Sequence, residues 1–467
     1  MKGRTERRGP RGIGALLVLL TWACANARPS ERDPASEAEL LHAAVDGMTD
    51  VIVYDIMSPP QASRAYAYAA VAAYEAVRHA DPAYPSLGGR LNGFAPAPRP
   101  DGVIYPPLAG VQAFMKVGRA LTFSQARMDS LLAALAQRGR TLAALPDEVF
   151  DRSVAYGDAV AQHVLAWSKT DRFLERLGQP KYSVVDEQGR WVPTPPGYMD
   201  AAEPAWATLR PFALDSASQF RPPPPPRYDM TEGSPFYREA REVYDVGRNP
   251  TDEQRIIAEF WNNNPYTMHV RGHAMFATKN RSPGAHWMAL VPVVARRAGA
   301  DVLRSAEAYA LTAIAIHDGF ISCWDEKFRS NLIRPETVIN ERFDEAWQPL
   351  LQTPPFPEYT SGHSVISAAA ATVLTDRFGG DFAFADSTEV EHGLPVRTFA
   401  SFQEAAQEAA MSRLYGGIHY RSAIEKGNEQ GRRVGEHVLN RLRTRARLDV
   451  ARGAAGAHAP VAPGSVH

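Results

Sequence analysis

Helical periodicity is the feature of this sequence that most limits its fold. Residues 65–77 are rich in alanine, a strong helix former, and carry a broad apolar stripe at helical spacing. No stretch alternates apolar and polar side chains over a run of β-branched residues, as a half-buried strand would. The pattern predicts an all-α protein made of helical bundles. The predicted helical segments are residues 38–79 with a break at 58–60, 110–121, 124–138, 147–170, 234–244, 252–262, 284–298, 301–333, 364–374 and 420–443.

Composition excludes two classes of partner. The 467 residues include 51 Lys and Arg against 52 Asp and Glu, which gives a net charge of -1. Nucleic-acid binding and polybasic membrane binding both need clustered excess cations, so neither is expected. With 45% hydrophobic and 22% charged residues, the chain has an ordinary globular composition. The sequence contains no feature that decides between a monomer and an oligomer.

Residues 1–27 have the three parts of a secretory signal peptide. Four arginines among residues 4–11 precede an apolar run at residues 13–20, and small residues follow. Cleavage after Ala27 and lipid attachment at Cys24 are both open, because the residues before Cys24 loosely resemble a bacterial lipobox. Either route predicts export to the periplasm or cell envelope.

The mature protein is expected to be soluble or anchored only by lipid. The apolar run of the signal is too short to span a membrane, and no other stretch of the sequence is long enough. Cys323 is the only cysteine besides Cys24, so no disulfide is expected inside the mature domain.

Composition also divides the rest of the chain. Residues 28–37 are polar and are predicted to be a disordered tether, and residues 38–180 a helical region. Residues 181–233 are proline-rich but contain aromatic side chains, which predicts an irregular segment wrapped against the body. Residues 234–447 are predicted to form a second helical bundle, and residues 448–467 a disordered tail.

The first cluster with chemical meaning lies at residues 324–335. Lys327 and Arg334 are seven residues apart, close to two turns of an α-helix, so both cations are predicted to project from one helix face. Pro335 would end that helix near Arg334. Two cations at a helix end suit an anionic partner, although a solvated basic face better explains such a pair when it stands alone.

The second cluster is Ser361, Gly362 and His363, directly before an Ala-rich helical segment. It places a hydroxyl, a glycine amide and an imidazole at a helix N-terminus, where free N–H groups and the helix dipole attract an oxyanion. A loop with a capping serine is the simpler interpretation of this motif alone.

The third cluster contains Arg413 and His419, with Gly416 and Gly417 between them. It supplies another guanidinium and another imidazole, and His419 would lie near the N-terminus of the helix at residues 420–443. Taken alone, the motif is more typical of a corner between two helices with a surface arginine.

The order and spacing of the three clusters change this interpretation. K-x6-R-P, then S-G-H, then S-R-x5-H resembles the signature of the superfamily of vanadium-dependent haloperoxidases and type-2 phosphatidic acid phosphatases. The motifs lie between residues 324 and 427. The long helical N-terminal half and the proline-rich segment resemble bacterial proteins of the haloperoxidase branch, which implies helical bundles of the haloperoxidase type.

The resemblance implies a role for each motif residue. Lys327, Arg334 and Arg413 would neutralise the oxygens of a bound vanadate or phosphate, and forked arginine donors suit such a ligand. Hydrogen bonds to the same anion are implied for Ser361 and the Gly362 amide. His419 would be the axial vanadium ligand, or the nucleophile in a phosphatase, and His363 the general acid/base. Lys327 is also implied in catalysis.

Two aromatic residues and one polar pair lie near these motifs. Trp324 and Phe356 resemble the aromatic residues that line the halide side of chloroperoxidase-like members, and ordinary packing is the alternative. At the pair His317 and Asp318 the prediction is a core histidine that is hydrogen-bonded locally, with support of the anion as the alternative.

One position departs from the family pattern. Ala423 stands four residues after His419, where the family usually has an aspartate that orients the histidine. Glu425 or a distant carboxylate could replace it. If neither does, catalysis should be weak.

The leading hypothesis is a vanadate-dependent haloperoxidase that oxidises halide with hydrogen peroxide to hypohalous acid. The second is a periplasmic acid phosphatase that acts on phosphate esters with His419 as nucleophile and binds phosphate in the same site. The third is a non-catalytic oxyanion-binding relative, motivated by Ala423. The sequence does not indicate a preferred halide.

Overall fold

A computed structural model describes residues 34–444, and within them the chain forms thirteen α-helices and two short β-hairpins. The predicted signal peptide with Cys24, most of the predicted tether and the predicted tail lie outside the described residues. In chain order the helices are α1 (Pro34–Tyr54), α2 (Pro59–Val77), α3 (Pro106–Leu121), α4 (Gln125–Leu142), α5 (Asp147–Ser168), α6 (Pro235–Arg248), α7 (Asp252–Phe260), α8 (Pro283–Arg297), α9 (Val302–Ser330), α10 (Pro335–Arg342), α11 (Gly362–Phe378), α12 (Phe402–Tyr415) and α13 (Arg421–Leu442).

The all-α prediction is confirmed, with small corrections. The hairpins pair β1 (Thr267–Arg271) with β2 (Ala274–Thr278) and β3 (Phe384–Asp386) with β4 (Arg397–Phe399), all antiparallel. These strands are too short to give a clear alternating pattern in the sequence. Residues 34–37, expected in the tether, are helical. No helix between residues 34 and 444 combines the length and apolarity needed to cross a membrane.

The helices form two groups around a shared core. In the N-terminal half, α2 packs against α3, which also packs against α5. In the C-terminal half, α11 packs against α9, α12 and α13. The two halves meet where α2 packs on α9, and one hydrophobic core continues through both. The fold therefore surrounds α9 on several sides.

The helix α9 is the central element, and it ends earlier than the sequence suggested. Asp301 caps its N-terminus by accepting a hydrogen bond from the backbone N–H of Arg304 (2.8 Å). Its C-terminus is at Ser330, because Asn331 adopts a left-handed conformation with φ of 48°. The prediction that Lys327 and Arg334 share one helix face was therefore wrong.

Arg334 approaches the site from a different element. It is the residue before α10, and Pro335 is the first residue of that helix, where its missing N–H causes no loss. The prediction that Pro335 marks a helix boundary was correct, but Pro335 begins α10 and does not end the preceding helix. The end of the preceding helix is set by Asn331.

The proline-rich segment packs against α9, as its aromatic side chains suggested. Trp191, Trp206 and Phe212 are fully buried. Both carboxylate oxygens of Asp318 accept hydrogen bonds from consecutive backbone N–H groups, those of Phe212, Ala213 and Leu214 (2.7, 2.7 and 2.9 Å). Asp318 thus anchors this segment to α9 through a contact distant in sequence. His317 is a core residue, as predicted, but its hydrogen bond is not local, because its Nδ1 lies 3.2 Å from Oγ of Ser63 in α2.

Candidate active site

A pocket opens beside the N-terminus of α11 and the C-terminal half of α9. It has about 680 Å³ of empty space, part of it open to solvent. Gly362, His363, Arg413 and His419 lie in its wall. The second and third sequence clusters therefore meet at one place in the fold.

Three consecutive residues before α11, which we call the strap, hold both cations of the first cluster. The backbone carbonyl of Phe356 accepts a hydrogen bond from Arg334 Nε (2.9 Å), and the carbonyls of Pro357 and Glu358 accept from Lys327 Nζ (3.0 Å each). Lys327 Nζ and Arg334 Cζ lie 5.0 and 5.1 Å from the centre of the pocket-lining Phe356 ring. The strap thus brings the first cluster to the pocket.

Arg413 is held by main-chain carbonyls at the end of α7. Its Nη2 donates to the carbonyl of Trp261, and its Nη1 donates to that of Asn262 (3.3 Å). Its Nε donates to Ser412 Oγ (2.9 Å). Among residues 34–444, the acceptors that fix the guanidinium in the pocket wall are all neutral.

The three cations are buried without a direct ion pair in the described chain. Lys327, Arg334 and Arg413 are at most 1% exposed, and none of them takes part in an ion pair among residues 34–444. Burial lowers the pKa of Lys327 to about 7, that of Arg334 to about 10 and that of Arg413 to about 9. Burying charge without a partner is costly, so this arrangement favours an anion in the pocket.

The start of α11 supplies further donors. Ser361 is the N-cap, and its Oγ accepts a hydrogen bond from the Ser364 N–H (3.3 Å), which leaves the hydroxyl proton free to donate elsewhere. Gly362 is the first helical residue, and an added Cβ there would approach only the Trp324 ring, at 3.9 Å. The capping interpretation and the oxyanion interpretation of this motif are therefore compatible.

His363 presents one ring nitrogen without a protein partner. Its Nε2 is buried and makes no hydrogen bond within the described part of the chain. Burial lowers the pKa of His363 well below its usual value, and the nearby Arg413 lowers it further, while a hydrogen bond to the Trp261 carbonyl opposes the shift. The ring is therefore neutral at pH 7, as a proton acceptor beside the pocket must be.

His419 is oriented by a carboxylate that sequence reasoning did not identify. Its Nδ1 lies 2.8 Å from Glu358 Oε1, and its Nε2 lies 3.3 Å from Arg334 Nη1. Both His419 and Glu358 are at most 2% exposed. Burial lowers the pKa of His419 well below its usual value, with Arg334 and Lys327 adding to the effect, whereas burial raises the pKa of Glu358 to about 8.

The replacement suggested from the sequence, Glu425, does not serve this role. Glu425 is exposed, whereas Ala423 is fully buried and its carbonyl accepts a hydrogen bond from the Ser361 N–H (3.0 Å). Glu358 precedes His419 by 61 residues. Its position directly after Pro357 and five residues before His363 gave no local signal, because nothing in the sequence links it to His419.

The two aromatic candidates lie together at the pocket. Trp324 and Phe356 both line it, with ring centres 5.0 Å apart, and Trp324 Nε1 donates to the carbonyl of Ala202 (3.2 Å). Six prolines, at positions 59, 60, 265, 283, 354 and 355, add to this lining. Apolar side chains therefore dominate the pocket lining, which also includes Arg413, His363 and His419.

Comparisons with known proteins agree with this geometry. A family model described as the second helical-bundle domain of VCPO matches residues 307–447. The crystal structure of a bacterial vanadium-dependent iodoperoxidase is similar with a TM-score of 0.82 and 48% sequence identity, covering 89% of this chain and 98% of that one. The chain belongs to the vanadium-dependent haloperoxidases.

Two further structures share the fold of this haloperoxidase. The holo and apo forms of a bacterial vanadium-dependent chloroperoxidase match with TM-scores of 0.62 and 0.64 at 16% and 17% identity. Each comparison covers 83% of this chain and 93% or 94% of the other. No curated protein sequence gives a match. The family consists of enzymes that act on peroxide, and membership implies a vanadate cofactor.

The residues of this haloperoxidase fit vanadate. Besides His363 Nε2, the buried Arg334 Nη2 has no hydrogen-bond partner among residues 34–444. His363 lines the pocket, and Arg334 contacts the pocket-lining His419. Three buried cations without direct ion pairs in the described chain match a multiply charged oxyanion. His419 would bond to vanadium through Nε2. No group of three or more His, Cys, Asp or Glu side chains in the described chain is arranged to hold a metal ion.

Proposed function

We propose that this protein oxidises iodide with hydrogen peroxide to hypoiodous acid, using vanadate held by the pocket residues. One observation carries the proposal: His419, fixed by Glu358 and facing Arg334, lines the same pocket as Arg413. The strap holds Lys327 and Arg334 beside it, and none of the three buried cations forms an ion pair in the described chain. This arrangement suits an oxyanion bonded to a neutral imidazole. When bound, vanadate supplies the Lewis-acidic centre that activates hydrogen peroxide towards halide.

The chain's own side chains divide the remaining work. Lys327, Arg334 and Arg413 would neutralise the anion, with hydrogen bonds from Ser361 and the Gly362 amide. His363 would accept a proton at Nε2 from peroxide entering the pocket, because this atom is unprotonated and has no competing protein partner. Lys327 would donate a hydrogen bond to the oxygen on which negative charge develops as the halide is oxidised.

The choice of iodide rests on similarity and on the pocket lining. The relative with 48% identity is described as an iodoperoxidase. Prolines and the rings of Trp324 and Phe356 dominate the pocket, so an entering anion loses much of its hydration. Desolvation costs more for a smaller ion, because its charge is more concentrated, so this lining favours iodide over chloride.

A vanadate titration of the vanadate-free protein tests the proposal. We expect peroxide-dependent iodide oxidation to rise and saturate with vanadate, with a larger kcat/KM for iodide than for bromide or chloride. A larger kcat/KM for chloride would refute the halide choice. Hydrolysis of p-nitrophenyl phosphate that vanadate inhibits, with no halide oxidation, would instead assign the protein to phosphatases. Vanadate binding with neither activity would leave an oxyanion-binding protein.

We also propose that the protein is exported, with the first 27 residues acting as a signal. Arginines followed by a short apolar run and small residues support this. The intact mass of protein purified from the native envelope fraction tests it. A chain starting at Arg28, or at a lipid-modified Cys24, agrees with export, and a chain that keeps residues 1–23 contradicts it.

A further inference from the structure

We propose that Glu358 is the positioning residue of the active site, which sets the tautomer of His419 and holds its ring towards the vanadate. In this role it replaces the aspartate that the family pattern would place at position 423. The inference rests on the proposed function, since it concerns how the same site binds its cofactor.

The contacts on the two sides of the His419 ring define its tautomer. Glu358 Oε1 lies 2.8 Å from Nδ1 and also accepts the N–H of Tyr420, so it is the acceptor oxygen of this carboxyl group and Nδ1 carries the proton. Arg334 Nη1 lies 3.3 Å from Nε2 and can only donate, so Nε2 carries the lone pair. A lone pair on Nε2 is what bonding to vanadium requires. Both contacts therefore select the same tautomer.

Glu358 also fixes the backbone that carries His419. The same Oε1 accepts a hydrogen bond from the N–H of Tyr420, the next residue (2.8 Å). Because one oxygen binds both the ring and the adjacent amide, ring and backbone cannot rotate independently without losing a buried hydrogen bond.

Glu358 is itself firmly placed. Its N–H donates to the carbonyl of Leu332 (3.0 Å), and its own carbonyl accepts from Lys327 Nζ (3.0 Å). Its side chain is fully buried. One residue therefore aligns a cation through its main chain and the vanadium ligand through its side chain, and a positioning group needs this rigidity.

The alternative is that Glu358 serves only the packing of the strap. The two roles differ in what a glutamine would do. Glu358→Gln keeps the size of the side chain. If its NH₂ faces the position of Oε1, the hydrogen bonds to both Nδ1 and the Tyr420 N–H are lost; if its oxygen faces that position, it binds the Nδ1 proton more weakly than an ionised carboxylate does. A packing role would then leave vanadate affinity unchanged, whereas a positioning role would not.

The first experiment measures the vanadate dissociation constant by equilibrium dialysis. Loss of such a supporting carboxylate typically weakens binding by about 10- to 100-fold, which we expect for Glu358→Gln. Adding Ala423→Asp to this variant places a carboxylate one helical turn after His419 and should restore most of the affinity. The exposed Glu425→Gln is the matched control and should bind as the wild type does.

The second experiment needs no folded variant of Glu358. Nitrogen-15 NMR of the wild-type protein, with the His419 signals assigned by their loss in His419→Ala, should report a proton on Nδ1 and none on Nε2. A protonated Nε2, or a Glu358→Gln variant with wild-type affinity, would overturn the inference. Wild-type protein that binds no vanadate would reject the proposed function, and the NMR result would still decide the role of Glu358.

Discussion

Replacing Arg413 by methionine should change stability and vanadate affinity in opposite directions. Arg413 is 1% exposed, pairs with no carboxylate in the described chain, and has its pKa lowered to about 9 by burial alone. In vanadate-free protein its charge is therefore a cost to folding. Removing it should stabilise the fold by about 1 to 2 kcal/mol, because relief of several kcal/mol of desolvation is partly offset by carbonyls that lose their donor.

The same substitution should weaken vanadate binding. A hydrogen bond between charged groups contributes about 1.5 to 3 kcal/mol, which corresponds to a rise of about 10- to 150-fold in the vanadate dissociation constant. At a vanadate concentration 100 times the dissociation constant, the free energy of unfolding of the wild-type protein should increase by about 2.7 kcal/mol. Under the same conditions Arg413→Met should gain much less.

Thermal unfolding with and without vanadate measures both effects in one set of samples. Without vanadate, Tm should rise by a few degrees in Arg413→Met, and the vanadate-induced shift should shrink. Arg432 is exposed on α13, so Arg432→Met is the control and should match the wild type in both respects. A variant that is less stable without vanadate and keeps the full vanadate-induced shift would refute the reasoning.

Three further outcomes follow from the structure. Burial lowers the pKa of Lys327 from 10.5 to about 7, so between these values the unfolded chain binds more protons and the vanadate-free protein becomes more stable as pH rises. Urea titrations should show that the free energy of unfolding increases by about 2 to 3 kcal/mol between about pH 6 and 9, and that this increase is missing in Lys327→Met. An equal pH dependence of the free energy of unfolding in the two proteins would contradict this. Asp318→Ala leaves three buried N–H groups unpaired and should lower the free energy of unfolding by about 3 to 5 kcal/mol. The control Asp325→Ala, on the same helix, should lower it by less than about 1 kcal/mol. Similar losses in the two variants would disprove the anchoring role of Asp318. His363→Ala should reduce iodide turnover by about 10²- to 10⁴-fold while vanadate affinity changes little, and a variant that keeps wild-type turnover would remove His363 from catalysis.

The sequence by itself determined the fold class and most of the site. Helix formers at helical spacing fix local structure through contacts within four residues, so they can be recognised without knowing the fold. The order and spacing of the three motifs likewise indicated seven residues around the pocket. They are Lys327, Arg334, Ser361, Gly362, His363, Arg413 and His419.

Only the tertiary structure decided which groups hold these residues in place. Glu358 meets His419 across 61 residues, and the end of α7 meets Arg413 across more than 150, so no local pattern reports either contact. The left-handed Asn331 separates Lys327 and Arg334 into different elements, and the strap brings them together again. These contacts depend on packing between segments distant in sequence, and a missing carboxylate at position 423 could be replaced only by one that the fold brings near.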